Sequence, residues 1–311
     1  MSVKIYDSAI GAFRDADTPL IWDEASGAYK DSTGLVWNES MQAWEERWGS
    51  VKLVPFSSAT YEEIEAMANA YYNDRITLEQ IKSVWSVGDM HSVNLSAMEA
   101  TGVGESHRAQ TVQHAILDFE HDELTTPING HTKALISLGQ KDCLMDATSE
   151  SNPIAGYADT EIGYMNSTNT SSGGWKSCAR RTWCNNVYFS ALPTALQNMV
   201  KTVNKKSSIG GSSTSGTEVT ADKIFLAAEI ELFGYRNYSV ADEGTQYQYY
   251  KNATANNYKM PKWSPSYVSH IYWERSTCRG NTNAFCIVDA SSSATFFAAS
   301  GTRGIAPCLC I

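Results

Sequence analysis

The amino-acid sequence predicts an α+β protein in which short β-hairpins precede a helical segment and a larger mixed domain. Three observations predict it. An aromatic unit repeats three times in the first 48 residues, two capping boxes open helical stripes between residues 60 and 82, and strand-like and helix-like hydrophobic patterns alternate beyond Trp85. The chain has 311 residues, 42% hydrophobic and 19% charged, so it can bury a core and carry two domains, or one large domain with an attachment module.

The repeated units are Ile5-Tyr6-Asp7 with Gly11-Ala12-Phe13-Arg14-Asp15, Ile21-Trp22-Asp23 with Gly27-Ala28-Tyr29-Lys30-Asp31, and Val36-Trp37-Asn38 with Gln42-Ala43-Trp44-Glu45-Glu46. Asp or Asn starts a turn and Gly tolerates positive φ, so each unit reads as a short hairpin with aromatics on both strands. Such a unit cannot bury its aromatic face alone and has to stack on its neighbours or on other chains. Residues 1–48 are therefore assigned to attachment or oligomerisation, 49–84 to a helical connector and 85–311 to the main domain. In the connector, Thr60 with Glu63 and Thr77 with Gln80 are capping boxes, and Ile64, Met67, Ala68, Tyr71 and Tyr72 share one helical stripe.

Within the main domain, Val93, Leu95, Val112, Ala115, Ile116 and Leu117 read as strand residues and Ser171–Gly174 as a loop. A helical pattern runs from Arg181 to Val203, interrupted at Pro193. Ser207–Thr217 reads as a flexible surface loop and Ile224–Phe233 as a buried segment.

The charge balance is 24 − 34 = −10, which offers no electrostatic footprint for phosphate backbones or anionic lipid. The N-terminus lacks a basic stretch followed by an apolar one. No run approaches the roughly 20 apolar residues of a spanning helix, so membrane insertion is not expected. The expectation is synthesis in a cytoplasm and exit by lysis or inside a particle.

Candidate chemistry is sparse. His107, His114 and His121 recur every seven residues among acidic neighbours, but without a metal-binding spacing, and read as solvated or hydrogen-bonded. Thr101–His107 contains GxG without a third glycine and reads as a turn. Adjacent Ser106 and His107 do not make a nucleophile and base, which meet in space rather than in sequence. The seven cysteines, an odd number in a long chain, read as buried free thiols. No catalytic residue, metal or cofactor is expected. Residues Ser276–Ile311 contain no Lys, Glu, Gln, Met or Trp and are rich in Ser, Thr, Asn, Ala, Gly and Phe. Short polar residues with a few aromatics suit adaptable binding loops, and equally an ordinary small-residue β-meander.

An ordered set of motifs carries a resemblance over residues 85–311. It runs from Trp85-Ser-Val-Gly-Asp89 through Gly174-Trp175, Arg181-Thr-Trp183, Ala191-Leu-Pro193, Lys205-Lys206, Asp222-Lys-Ile-Phe-Leu226 and Glu231 to Tyr272-Trp273-Glu-Arg-Ser276 and Gly304-Ile-Ala-Pro307. This set resembles a family of uncharacterised domains of prophages and gut Firmicutes that look related to C-type-lectin and formylglycine-generating-enzyme folds. The hairpin units resemble short aromatic repeats of phage tail proteins. Three positions depart from the family's usual ending: Glu274 stands where Leu is usual, Thr277 where Pro is usual and Ala306 where Arg is common.

The resemblance implies a C-type-lectin-like domain whose C-terminal stretch forms exposed binding loops, a bacteriophage tail-fibre or tail-tip protein, and location in the virion tail. The implied partners are other tail or baseplate proteins and a host cell-surface glycan or protein, met by a homo-oligomer, a trimer by analogy. Candidate receptor-binding residues are Arg279, Asn281, Asn283, Ser291, Ser292, Thr295, Phe296, Phe297 and Thr302. Some relatives are diversified at adenines, and every residue type in Ser276–Ile311 is reachable from asparagine codons in that way, so Arg279–Thr302 is the expected hypervariable window. The alternatives are a purely structural baseplate or decoration protein and a formylglycine-generating-type oxidase using Cys308 and Cys310.

Overall fold

The computed structural model describes six strands within residues 4–46, and residues 51–103, 106–144, 163–240, 242–251, 262–263, 268–269 and 271–311. It divides into two compact units, Met1–Lys52 and Leu53–Ile311.

The first unit contains three antiparallel hairpins: β1 (Lys4–Asp7) with β2 (Ala12–Asp15), β3 (Leu20–Asp23) with β4 (Ala28–Asp31), and β5 (Leu35–Asn38) with β6 (Ala43–Glu46). The repeat in sequence is also a repeat in register. Tyr6 stands opposite Phe13, Trp22 opposite Tyr29 and Trp37 opposite Trp44, each one pair inward from the Asp/Asn–Ala pair that adjoins the turn.

The second unit begins with α1 (Tyr61–Tyr72) and α2 (Leu78–Lys82), both opened by the expected capping boxes. Glu63 N–H donates to Thr60 Oγ1 (3.2 Å) while Glu63 Oε2 accepts from Thr60 N–H (3.0 Å). The stripe Ile64, Met67, Ala68, Tyr71 and Tyr72 is buried. Tyr72 OH donates to the Ile311 carbonyl (3.1 Å) and accepts from Leu135 N–H (2.8 Å). These helices fall within the second unit, where α1 packs against the helix Thr194–Met199 and Tyr72 reaches Leu135 and Ile311.

The remaining elements follow in order. They are β7 (Met90–Leu95), β8 (Gln110–Phe119), β9 (Glu123–Ile128), β10 (His131–Lys133), β11 (Ile136–Gln140), α3 (Gly174–Ser177), α4 (Ala179–Trp183), a π turn (Cys184–Tyr188), α5 (Phe189–Ala191), α6 (Thr194–Met199), β12 (Val203–Ser208), β13 (Thr217–Asp222) and β14 (Ile224–Phe225). Then come α7 (Glu229–Phe233), α8 (Gln248–Lys251), the paired two-residue strands β15 (Lys262–Trp263) and β16 (Val268–Ser269), β17 (Tyr272–Thr277), β18 (Ala284–Val288), β19 (Ala294–Ala298) and β20 (Cys308–Cys310). With 24% helix and 31% strand, neither class dominates and the chain is α+β.

Three antiparallel sheets organise the core, in the orders β14-β20-β11-β8-β7, β10-β9-β12-β13 and β17-β18-β19. The helical run ends at Met199, short of the expected Val203, which instead opens β12 opposite Asp222. Pro193 sits at the N-cap of α6, where its missing N–H costs nothing. Ser207 and Ser208 belong to β12, and the tip beyond them is tied down. Gly211 N–H donates to Ser171 O (3.1 Å), and Ser213 O accepts from Gly280 N–H (2.9 Å).

A polar hub fixes the helices to the sheets. The buried Asp222 accepts from Trp175 Nε1 (3.1 Å), Thr220 Oγ1 (2.6 Å) and Arg181 Nε (2.6 Å). Asn185, in the π turn, donates to Asp222 and Ile224 O and accepts from Lys223 and Ile224 N–H. The widened turn points Asn185 at a strand end whose backbone groups would otherwise be unmatched.

Candidate binding rim and buried charge network

The geometry of the second unit turns on a bulge in β17. Trp273 pairs with Ile287 and Thr277 with Phe285, so four steps on β17 oppose two on β18. The extra length holds Glu274, Arg275 and Ser276, all fully buried. Arg275 makes a bidentate pair with Glu231 of α7 (Nη1–Oε2 2.5 Å, Nη2–Oε1 2.8 Å). It also donates to Ser207 Oγ and to the carbonyls of Leu226 and Glu243.

Glu231 shares its Oε1 with Lys205 Nζ (2.7 Å), and Lys205 donates to Asp122 Oδ1 (2.5 Å). Asp122 Oδ2 accepts from Ser137 Oγ (2.6 Å) and Tyr247 OH (3.0 Å). Two cations and two carboxylates thus alternate across β17, α7, β12 and the β8–β9 turn. Burial pushes the Asp122 and Glu231 carboxyls up. The adjacent cations outweigh it and hold both below the usual carboxylate range, Lys205 and His121 for Asp122, Arg275 and Lys205 for Glu231. Four groups that would each be costly to bury neutralise one another.

The network's outer edge lines a cleft of about 340 Å³ between His121, Asp122, Lys133, Lys205, Lys206 and Asp242, among others. Several of its charges pair with one another: Lys206 with Asp242, Lys133 with Glu123 (3.9 Å) and His121 with Asp122 (3.5 Å).

A different surface gathers at one end of the β17–β18 hairpin, where three loops interlock. Ser171 N–H donates to Thr282 O (2.8 Å) and Ser171 Oγ to Asn281 O (2.8 Å). Gly210 and Gly211 cross over Ser171, and Gly280 N–H reaches Ser213 O. Gly174 (φ +53°) and Gly210 (φ +68°) allow the crossing, since a β-carbon on either would collide with the carbonyl oxygen of Ser208 or Ser171 respectively. The outward residues Ser172, Ser212, Thr214, Arg279 and Asn283 are exposed. Arg279 N–H donates to Tyr238 O (2.7 Å), which brings in the segment after α7. The half-buried Tyr238 meets Phe296 edge-on (centroids 5.2 Å), and Phe296 is 40% exposed.

The expected receptor-binding residues separate in the fold. Arg279, Asn281 and Asn283 lie at the rim end, Thr302 lies after β19 next to Arg303, which pairs with Gly163, and Ser291 and Ser292 lie in the β18–β19 turn at the far end of the hairpin. Phe296 points outward. Thr295 and Phe297 occupy the opposite face of β19, where the Phe297 ring lies against Arg303 (3.6 Å) and near Trp273. Ser292 is buried with φ +64°, so the expected exposure fails there: the turn closes over it through Asp289. Tyr238 was missed, because nothing in sequence spacing links the segment after α7 to residues 279–296.

The histidines do not converge, and two of them, His107 and His114, are buried, His114 in a hydrogen bond as one of the two expected readings has it. His107 stacks on Trp183 (5.3 Å). His114 contacts Tyr188 OH (3.0 Å) and is pushed down to about 3 by burial and by His91. Among the described residues no group of three or more His, Cys, Asp or Glu is arranged to hold a metal. All seven cysteines are buried free thiols. Burial pushes the Cys308 thiol up to about 12 and Cys310 up as well, whereas an oxidase or copper pair needs accessible thiolates.

No curated protein and no solved structure matches the chain significantly. Residues 144–311, more than half of the chain and including α3 to β20, match the model of the domain of unknown function DUF6273, and the protein belongs to that family.

Proposed function

We propose that this chain is a bacteriophage tail-fibre or tail-tip protein that binds a host cell-surface glycan or protein through a C-type-lectin-like second unit. The observation that carries the reading is the exposed Phe296 ring edge-on to the half-buried Tyr238 beside Arg279, next to short polar side chains on three interlocked loops. An aromatic platform with adaptable hydrogen-bonding neighbours suits sugars and protein side chains alike. The loops are pinned to one another, so little ordering entropy is lost on contact. The hairpin unit serves attachment to other tail or baseplate proteins, and a homotrimer would convert weak single-site binding into avidity.

The test is binding of the purified, labelled protein to a panel of bacterial strains and to a glycan array. Wild type should bind selectively, and Phe296→Ala or Arg279→Ala should weaken binding about tenfold or more with an unchanged melting temperature. Failure of the wild type to bind any strain or glycan would remove the proposal in favour of a structural baseplate role.

A further inference from the structure

The interior of the second unit holds more carboxyls than its cations can match. Lys205 and Arg275 are committed to Asp122 and Glu231. Among the described residues, three further buried carboxyls, Glu229, Glu243 and Glu274, form no ion pair. Glu229 of α7 accepts the backbone N–H groups of Asn237 (2.9 Å), Tyr238 (3.1 Å) and Ser239 (2.7 Å), so it seats the segment that carries Tyr238. Glu243 accepts from Ser208 N–H (2.8 Å) and from Ser276 Oγ (2.6 Å), and the same Ser276 hydroxyl accepts from Glu229 N–H (3.0 Å). Glu274, in the β17 bulge, is fully buried and has no hydrogen-bond partner among the described residues on either oxygen. The charged and titratable groups around it are Glu229, Glu243, Arg275 on its own strand, Tyr272, and Cys286 of β18.

We propose that Glu243 and Glu274, packed around Glu229, form a carboxyl compartment that must carry protons for the Tyr238 segment to stay seated, so that the aromatic rim loosens as the compartment loses them. A carboxylate at Glu274 would have, among the described residues, neither a hydrogen bond nor an uncommitted cation beside it, and it would face Glu229, whose carboxyl oxygens hold the three N–H groups. Ionisation therefore puts an uncompensated negative charge beside the carboxyl that anchors the Tyr238 loop. The protonated acid avoids this. Burial pushes Glu274 well above the usual carboxylate range, and Glu243 up to about 7.

The sign follows from linkage. Both acids bind protons more tightly folded than unfolded, so their contribution is fully present below pH 4.5 and is lost as pH rises through their folded values. Each such group raises the unfolding constant by up to tenfold per pH unit inside its window.

The experiment is the unfolding equilibrium of the full chain between pH 5 and pH 9, with amide exchange of residues 237–239 corrected for intrinsic rates. Wild type should lose stability as pH rises, and its 237–239 amides should lose protection. Glu274→Gln cannot ionise, so it should be flatter by up to tenfold per pH unit and keep those amides protected at pH 9. Glu274→Leu, which puts an apolar residue in the bulge, serves if the Gln variant does not fold and should be equally flat. Parallel pH profiles for wild type and the variant that folds, or unchanged protection of 237–239 in wild type, would overturn the proposal. None of these readouts depends on receptor binding, so the compartment and the binding role fail separately.

Discussion

Replacing Lys205 with Met removes the cation that two buried carboxylates share, and the structure sets the size of the effect. Breaking a buried ion pair by deleting one partner costs about 3–5 kcal/mol, because a charge is left uncompensated. Glu231 keeps both bonds to Arg275, and Asp122 keeps Ser137 Oγ, Tyr247 OH and the His121 contact. The expected loss is therefore near the lower end, about 3 kcal/mol. Arg275→Met should reach the upper end, about 5 kcal/mol, since it also abandons Ser207 Oγ and the Leu226 and Glu243 carbonyls. The decisive measurement is the double variant Lys205→Met/Asp122→Leu. It deletes one cation and one anion and leaves the Arg275–Glu231 pair balanced, so it should be about 1–2 kcal/mol more stable than Lys205→Met alone. The assay is urea unfolding at pH 7, with equal dependence on urea required across the set. A cost below about 1 kcal/mol for Lys205→Met, or a double variant less stable than the single, would show that the four groups do not form one compensated network.

Further outcomes follow from other sites. His114 is buried neutral and pushed down to about 3, so the unfolded chain takes up the proton first, and stability should fall by up to about 1.4 kcal/mol per pH unit below 6.5. His114→Gln should reduce that acid slope, as read from urea midpoints at pH 7, 6 and 5. Gly210→Ala should cost more than about 2 kcal/mol in thermal unfolding, because a left-handed backbone and a collision with Ser171 O add together. The cysteines should resist alkylation in native protein at pH 8 and all seven should react in guanidinium. Fast native labelling of Cys308 or Cys310 would reopen the thiolate reading.

Part of this architecture was legible in the residues. The repeat spacing predicted hairpins, and the ladder places Tyr6, Trp22 and Trp37 at one register position in each. The Thr60 and Thr77 capping boxes predicted helix starts to the residue, because a cap is a local hydrogen-bond pattern written over four positions. The domain border was less legible: the α1 stripe announces that it needs a partner and does not say which. The motif residues Trp175, Arg181, Lys205, Asp222, Glu231 and Arg275 gave no hint of their arrangement, and they prove to be partners in two buried polar hubs.

The candidate surface divides along the same line. Composition pointed to Ser276–Ile311, and Arg279, Asn283 and Phe296 are indeed exposed there. Strand alternation then sent Phe297 to the other face, a turn buried Ser292, and a contact across more than 50 residues supplied Tyr238. By itself the sequence determined what is local: turn chemistry, capping, hydrophobic period, an acidic balance and a cysteine inventory. Only the tertiary structure decided which charges neutralise one another, which carboxyls are left without a cation, and which loops meet at the rim. Burial and proximity between distant segments set those energies, and neither is a property of any short stretch of chain.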